Sequence, residues 1–109
     1  MDWDNAKNYC ASRRGHLVTI EDNKENMFVY NLAPYALLGA TDRDSEGHWV
    51  WVTGQEMSYT NWCPGEPNDR DGGRVPEDCL AFHNDPRCLP GQWNDVPGGE
   101  GRYVCEFEN

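Results

Sequence analysis

The chain has 109 residues and a mass of 12.5 kDa, the size of one small domain, which excludes two independent cores. Nine basic against nineteen acidic side chains give a formal net charge of −10, which argues against nucleic acid or an anionic membrane surface as a partner and favours cations. A hydrophobic fraction of 38% with five Trp is too high for a disordered acidic tail. We therefore expect one folded domain over residues 1–109, whose small core is reinforced by disulfides or bound metal.

A helix is predicted at the start of the chain. Asp2 is a suitable N-cap for a helix over residues 3–13, and Gly15 is placed to end it. The apolar side chains recur at i, i+3 and i+7, which is the spacing of one buried stripe. That stripe consists of Trp3, Ala6 and Cys10.

Three strands and a second helix are predicted in the next forty or so residues. An apolar run over residues 17–20 predicts a short buried strand. Residues 21–32 pass from polar to amphipathic and predict a helix, which Pro34 stops. Apolar runs at residues 37–40 and 49–52 predict two further strands.

Residues 63–101 differ in composition from the rest of the chain. They contain six of the seven Pro and seven of the eleven Gly, which indicates long loops with few ladder hydrogen bonds. Short strands are predicted at residues 79–82 and 92–94, and a last strand at residues 102–107. Loops this long inside a small domain usually have a function or are held by an ion.

Oxygen-bearing side chains are concentrated in these loops. Hard cations need six to eight oxygen ligands, which are mostly carboxylates and amide carbonyls. The motifs that supply them are Glu66-Pro67-Asn68-Asp69, Glu77-Asp78 and Trp93-Asn94-Asp95, with Asp42, Asp44 and Glu46 as further donors. Each motif alone is more often a turn than a ligand set, because Asp and Asn favour turns.

The order of the motifs is more specific than any one of them. The ordered set is a helix with Trp3, Ala6 and Cys10, then Leu37-Leu38-Gly39, an acidic turn, Asn61-Trp62, Glu66-Pro67-Asn68, Glu77-Asp78-Cys79, Trp93-Asn94-Asp95 and Tyr103-Val104-Cys105-Glu106. In this order they resemble the C-type lectin-like domain over nearly the whole chain. The resemblance implies an α+β fold with two helices, small antiparallel sheets and a long calcium-binding loop region. The N-terminal strand of that family has no counterpart in this sequence, so we expect the final strand to expose an edge.

The resemblance also implies a principal calcium and a sugar held by the same residues. These are Glu66, Asn68, Glu77, Asn94 and Asp95. A ligating carboxylate keeps an oxygen that accepts a hydroxyl proton, and a ligating amide turns its NH2 outward as a donor, so the pair can recognise a vicinal diol. The Glu-Pro-Asn form of the motif is associated with mannose-type sugars (mannose, N-acetylglucosamine and fucose), and the Gln-Pro-Asp form with galactose.

An auxiliary calcium is implied as well, with a solvated acidic face as the alternative. Its ligands would be Asp42, Glu46, Asp69, Glu77 and Asp78. The segment from Asn68 to Glu77 is longer than the usual loop of the family. Arg70 or Arg74, within it, could fold over the ion or reach a ligand.

Five cysteines without a zinc-type spacing indicate structural disulfides in an oxidising compartment, with one cysteine left over. The resemblance implies the pair Cys10 and Cys105, but the family's usual partner for Cys79 is missing. We favour Cys63–Cys88 with Cys79 free; Cys79–Cys88, Cys63–Cys79 and an inter-chain link are the alternatives. Since the sequence has no leader before Asp2, we interpret the chain as a trimmed or fragmentary domain of a secreted or extracellular protein.

The function expected from this resemblance is calcium-dependent binding of glycans or glycoproteins, without enzymatic chemistry. The alternatives are calcium-dependent galactose binding, a module of the same fold that binds a protein or ice surface, and a structural matrix module. Because a shallow sugar site binds weakly, we expect homo-oligomers to supply avidity.

Overall fold

The computed structural model describes residues 2–45, 47–66, 78–83, 86–99 and 101–107. Within these ranges the chain forms two helices and two antiparallel sheets, which confirms the predicted α+β fold. The elements in chain order are α1 (Trp3–Ser12), β1 (Gly15–Leu17), α2 (Asn23–Leu32), β2 (Leu37–Thr41), β3 (Val50–Trp51), β4 (Cys79–Phe82), β5 (Trp93–Val96) and β6 (Cys105–Phe107). Neither helix in this described part of the chain has the length and apolar character needed to cross a membrane.

Helix α1 begins as predicted and ends differently. The Asp2 carboxylate accepts a hydrogen bond from the Asn5 amide at 2.8 Å, and the predicted stripe of Trp3, Ala6 and Cys10 is buried. The prediction that Gly15 ends the helix is wrong, because Arg14 takes the left-handed conformation (φ 67°) and Gly15 lies in β1. A Cβ at position 15 would lie 2.6 Å from the Glu106 carbonyl oxygen, so glycine is required there by the approach of β6.

Helix α2 follows its sequence signals closely. The Asp22 carboxylate caps it by accepting a hydrogen bond from the Glu25 amide at 2.8 Å. The Glu25 carboxylate in turn accepts from the Glu21 amide at 2.9 Å, so two backbone donors at this helix start are satisfied. The helix ends at Leu32, two residues before Pro34, as expected for a residue that cannot continue a helix.

A four-stranded antiparallel sheet in the order β3-β2-β4-β5 contains four of the six strands in the described ranges. A second sheet pairs β1 with β6, and β6 has no other strand partner among the described strands. The strand predicted at residues 17–20 lies instead at Gly15–Leu17. It ends there because the Val18 carbonyl turns to accept a hydrogen bond from Gly39 at 2.8 Å, which links β1 to β2.

Strand β4 spans Cys79–Phe82 as predicted, and β2 extends one residue beyond the predicted 37–40. The bounds of the remaining three strands differ from the predictions. The strand predicted at 49–52 is shortened to Val50–Trp51, and the one predicted at 92–94 spans Trp93–Val96. The last strand begins at Cys105, whereas residue 102 was predicted. Before it, the Leu37 amide donates to the Arg102 carbonyl at 2.8 Å, so this stretch is bonded to β2. The Val104 carbonyl also accepts from the Val18 amide, just after β1, at 3.0 Å.

Two buried clusters hold the sheets and helices together. One is built around Trp93, whose ring makes edge-on contacts with Trp51, Tyr59 and Trp62 at centroid distances of 5.9, 5.7 and 5.9 Å. The other contains Trp3, whose indole donates to the Leu38 carbonyl at 2.8 Å and so ties α1 to β2. The clusters therefore join both helices to the central sheet.

Disulfides reinforce this small core. Cys10 and Cys105, with Cα atoms 5.4 Å apart, link α1 to β6 across 95 residues. Closing so long a loop contributes about 4.7 kcal/mol in the chain-entropy account. Cys63 and Cys88 form the second bridge, with Cα atoms 5.5 Å apart, and Cys79 is a buried free thiol. This is the pairing that we favoured among those that the sequence left open.

Candidate functional site

Two segments that carry predicted ligands run side by side. The Trp93 amide donates to the Asn61 carbonyl at 2.8 Å, and the Cys63 amide donates to the Trp93 carbonyl at 2.9 Å. These bonds form a parallel bridge between Trp62 and Trp93. The segment that leads to Glu66 is thereby fixed beside β5, which carries Asn94 and Asp95.

Glu66 is placed by a tight turn. The Glu66 amide donates to the Cys63 carbonyl at 2.9 Å, and Gly65 has a φ of 92°, a left-handed conformation that favours glycine. The turn returns the chain so that Glu66 is half-buried instead of extending into solvent. The Cys63–Cys88 disulfide fixes the start of the turn.

Strand β5 orients two further predicted ligands, Asn94 and Asp95. Its burial alternates, with Trp93 and Asp95 almost completely buried (0% and 1% exposed) and Asn94 half-buried. Asn94 lies opposite Ala81 of β4, and Asp95 lies opposite Leu80. The side chains of these two predicted ligands therefore leave β5 on opposite faces, so both reach one ion only if it lies at the edge of the strand beside the 61–66 segment.

The Asn94 side-chain oxygen gives direct support for a ligand at this place. Asn94 Oδ1 is buried and accepts no hydrogen bond from the described residues. A buried amide oxygen without a hydrogen-bond partner costs free energy, so such an atom usually binds a water molecule, an ion or a ligand. An amide oxygen is a typical calcium ligand, and the neighbouring carboxylates Glu66 and Asp95 are of the same hard-oxygen class. Of the five predicted principal ligands, Asn68 and Glu77 lie outside the described residues.

Two residues of the predicted auxiliary site are brought together where β2 ends and β4 begins. The Asp78 carbonyl accepts from the Thr41 hydroxyl at 2.5 Å and from the Asp42 amide at 3.3 Å. Asp42 is 3% exposed; its Oδ2 accepts from the Gly47 amide at 2.9 Å, and its Oδ1 accepts no hydrogen bond from the described part of the chain. The other predicted members, Glu46, Asp69 and Glu77, lie outside the described residues.

Arg43 lies among these acids, and the sequence analysis did not predict its role. Its guanidinium binds the Asp4 carboxylate through two nitrogens and lies 3.3 Å from Asp78 Oδ2 through Nε. It also stacks on the Trp3 ring, 5.0 Å from the ring centroid. The hydrogen bond from Arg43 holds the pKa of Asp4 below its usual value, and the bond to Asp4 raises the pKa of Arg43. A cation that binds Asp78 would therefore compete with a guanidinium.

Asn26 is a second residue that sequence reasoning missed. This completely buried side chain of α2 accepts from the Trp93 indole at 2.8 Å and donates to the Gly91 carbonyl at 2.9 Å. The Asn61 side chain donates to the same carbonyl at 2.8 Å. Asn26 thus connects α2 to the start of β5 and, through the shared Gly91 carbonyl, to the 61–66 segment. The sequence signal that could have identified it is a polar residue on the buried face of an amphipathic helix.

We expect Asn26→Ala to weaken the proposed calcium site as well as the fold. The substitution leaves the Trp93 indole N–H without its acceptor, at a cost of about 1–3 kcal/mol. It also removes the link from α2 to the Gly91–Trp93 turn, so more calcium should be needed for half-maximal thermal stabilisation. Urea unfolding and calcium titrations of melting temperature measure the two effects.

The matched control is Val29→Ala, a buried apolar deletion in the same helix. It should lower stability by a similar amount and leave the calcium requirement unchanged. An equal calcium requirement in both variants at equal loss of stability would contradict a positioning role for Asn26.

The free Cys79 thiol generates a pH prediction. Burial raises the pKa of Cys79 to about 12, mainly through desolvation, although Arg43 acts in the opposite direction. Below the ordinary thiol pKa near 9 both states are protonated; above it the unfolded thiol ionises while the native thiol stays neutral, so stability falls as pH rises. Because of Cys79, we expect the free energy of unfolding to fall by roughly 1 kcal/mol when the pH rises from 8 to 10.

Urea unfolding at the two pH values checks this expectation, with Cys79→Ala as the reference that lacks the thiol. The difference between wild type and variant should change with pH by the stated amount. A pH-independent difference would show that the native thiol ionises as readily as the unfolded one.

The comparisons with known proteins agree with this geometry. The family model described as Lectin C-type domain matches residues 1–107. The human protein "C-type lectin domain family 10 member A" is 38% identical over 113 residues, which cover 97% of this chain and 34% of that protein. The chain spans about a third of the length of the curated relatives it matches.

Solved structures share the fold. The mouse scavenger receptor C-type lectin carbohydrate-recognition domain has a TM-score of 0.84 at 30% identity, covering 98% of this chain and 84% of that one. The cow C-type carbohydrate-recognition domain of CD23, solved in the presence of a GlcNAc2Man3 oligosaccharide, has a TM-score of 0.83 at 31% identity, covering 100% and 82%. Because the family model matches residues 1–107 and these solved domains share its fold, the chain belongs to the C-type lectin domain family.

Proposed function

We propose that this domain binds mannose-type sugars (mannose, N-acetylglucosamine and fucose) in a calcium-dependent manner. The proposed site consists of Glu66, Asn68, Glu77, Asn94 and Asp95. The observation that carries the proposal is the buried Asn94 Oδ1, which accepts no hydrogen bond from the described residues and lies on the strand beside the Glu66 segment. Support also comes from the CD23 domain, whose structure was solved in the presence of a mannose-containing oligosaccharide.

The donor set suits a hard divalent cation, because it combines carboxylate and amide oxygens. Calcium held by these residues would supply Lewis acidity toward the two oxygens of a vicinal diol. Glu66 would accept a hydroxyl proton with its remaining oxygen, and Asn68 would donate from its amide NH2. An acceptor on one side and a donor on the other select the relative orientation of the two hydroxyls, which favours the equatorial pair of mannose over the axial 4-hydroxyl of galactose.

The buried network below the site limits how far its members move. Trp93 is completely buried and is held through both its indole and its main chain. Asn94 and Asp95 follow it directly on β5, and the 61–66 segment is bonded to it. The ligand-bearing segments are therefore preorganised, so less binding free energy is lost in ordering them.

We propose a second calcium at Asp42, Glu46, Asp69, Glu77 and Asp78. The buried Asp42 Oδ1 beside Asp78 supports it. Arg43 already balances part of the charge of Asp78, so we expect this second ion to bind more weakly than the principal one.

The role that we propose is recognition of glycans or glycoproteins outside the cell, with no catalytic residue. Two disulfides suit an oxidising compartment. A single shallow site gives weak affinity, so we expect homo-oligomers or multivalent display to supply avidity.

The first test is retention on immobilised mannose in calcium, followed by separate elutions with chelator, free mannose and free galactose. We expect chelator and mannose to release the protein and galactose to be much weaker. Equal release by galactose would agree with the proposed calcium site but would contradict the proposed mannose specificity. Chelator-sensitive retention on a protein or ice surface that no monosaccharide inhibits would instead favour a non-sugar partner.

The second test exchanges the hydrogen-bond acceptor proposed at Glu66 with the donor proposed at Asn68. Glu66→Gln together with Asn68→Asp should shift preference from mannose toward galactose, because the amide and the carboxylate trade places around the diol. Competition by the two sugars measures the shift, and Glu21→Gln, an exposed acid that is assigned to no ligand set, serves as the control. Unchanged inhibition by both sugars in the double variant would contradict the assignment of Glu66 and Asn68.

A further inference from the structure

A groove of about 360 Å³ begins at Asn94 and crosses one face of the central sheet. Leu37 of β2 lies opposite Ala81 of β4, which in turn lies opposite Asn94 of β5. Residues directly opposite each other in antiparallel strands point their side chains to the same face. Neighbouring strands are about 4.8 Å apart, so the groove extends roughly 10 Å from Asn94 toward β2.

The floor and one wall of the groove are apolar. Leu37 and Ala81 are each 4% exposed, and Val96 lies on the same face of β5 as Asn94. Pro97 continues the lining after β5, and a Cβ at Gly101 would lie 3.1 Å from Leu37 Cγ. The chain at Gly101 is therefore packed directly against β2. A groove with these walls suits an apolar surface and offers no charged side chain.

Tyr35 lines the groove just before β2 begins. It is 56% exposed and has a φ of 69°, a left-handed conformation that is rare for a bulky residue and is more frequent at functional sites. The next residue is fixed, because the Phe82 amide donates to the Ala36 carbonyl at 3.0 Å. Within the described part of the chain, the Tyr35 side chain stacks on no other ring and forms no hydrogen bond. Its ring is therefore available to a ligand.

The groove lies where the outer part of a bound sugar would extend. Asn94 belongs to the proposed calcium site, so a sugar held there by its 3- and 4-hydroxyls would lie at this end of the groove. The anomeric carbon is on the side of the pyranose ring opposite the 4-hydroxyl. A group attached to the anomeric oxygen can therefore reach toward Tyr35. The volume is near the lower limit for small-molecule pockets, which suits one further ring.

We propose that this groove binds a ring attached to the anomeric oxygen of the calcium-bound sugar, and that the apolar face of that ring stacks on Tyr35. The face of an aromatic ring carries partial negative charge, which attracts the partly positive hydrogens of an aromatic edge or of pyranose C–H groups. The attached ring is therefore either an aromatic aglycone or the pyranose of a second sugar. The inference rests on the proposed function, because the first sugar is held at Asn94.

Competition for immobilised mannose in saturating calcium tests the proposal. Methyl α-mannoside is compared with phenyl α-mannoside and with α-1,3-linked mannobiose, in which only the terminal mannose keeps a free 3,4-diol. We expect the two ligands with a second ring to inhibit at about three- to tenfold lower concentration, the range of one aromatic contact. A gain with the phenyl glycoside alone identifies an aromatic aglycone, and a gain with mannobiose alone identifies a second sugar.

Tyr35→Ala should abolish this preference and leave inhibition by methyl α-mannoside unchanged, whereas Tyr35→Phe, which keeps the ring, should retain the preference. Phe28→Ala is the matched control, because Phe28 is an exposed aromatic residue (66%) on α2 that does not line the groove. Melting temperatures and calcium titrations of all three variants separate an effect on the groove from an effect on the fold or on the metal.

The remaining outcomes contradict the inference in distinct ways. Equal inhibition by all three mannosides in wild type would exclude the groove and leave the proposed function standing. A preference that persists in Tyr35→Ala would exclude Tyr35 as the stacking residue. Loss of inhibition by methyl α-mannoside in Tyr35→Ala would assign Tyr35 to the first sugar or to the fold.

Two further controls concern the sugar itself. Phenyl galactoside should inhibit much more weakly than phenyl α-mannoside. Equal inhibition by these two glycosides would show that the aromatic ring binds independently of the calcium-bound sugar, which contradicts the inference. No inhibition of wild type by any mannoside would contradict the proposed function itself.

Discussion

The position of Trp93 is the constraint on which the fold and the proposed site both depend. Its indole is bonded to Asn26, its main chain is bonded on both sides to the segment 61–63, and its ring is packed edge-on against three other aromatic rings. A slip of one residue in β5 would expose this ring and move Asn94 and Asp95 to the wrong faces. The hydrophobic core therefore fixes the register of the polar site.

Near α1, an arginine side chain balances part of the negative charge of the chain. Arg43 stacks on Trp3 and binds both Asp4 and Asp78, so one side chain connects the first helix to the start of β4. A guanidinium stays charged at any physiological pH, whereas a metal ion can be withdrawn by a chelator. This part of the molecule thus has a permanent counter-charge, whereas the calcium that we propose near Asn94 would be an exchangeable one.

Features set by local sequence were predictable, and features set by distant contacts were not. The stripe of α1 and its cap at Asp2 follow from spacing and residue type within one or two turns. The prediction for Gly15 was wrong because glycine is needed there to leave room for the Glu106 carbonyl. That contact is between residues far apart in sequence and is visible only in the folded chain.

The same reason explains which site residues were missed. Arg43 is hydrogen-bonded to Asp4, 39 residues away in sequence, and Asn26 to Trp93, 67 residues away. No sequence motif contains either pair. The ligand motifs could be found because their members are adjacent in sequence. The structure adds the pairing of the 61–66 segment with β5, which sequence alone does not give.

The burial of Cys79 has a consequence for how the domain matures. During oxidation, five thiols could pair in many combinations, whereas four allow only three. Cys79 lies in the interior, with the Gly98 backbone packed so closely that a Cβ there would be 2.9 Å from its sulfur. A chain that buries Cys79 early removes it from thiol exchange, so the order of burial and oxidation should decide the yield of correctly bridged protein.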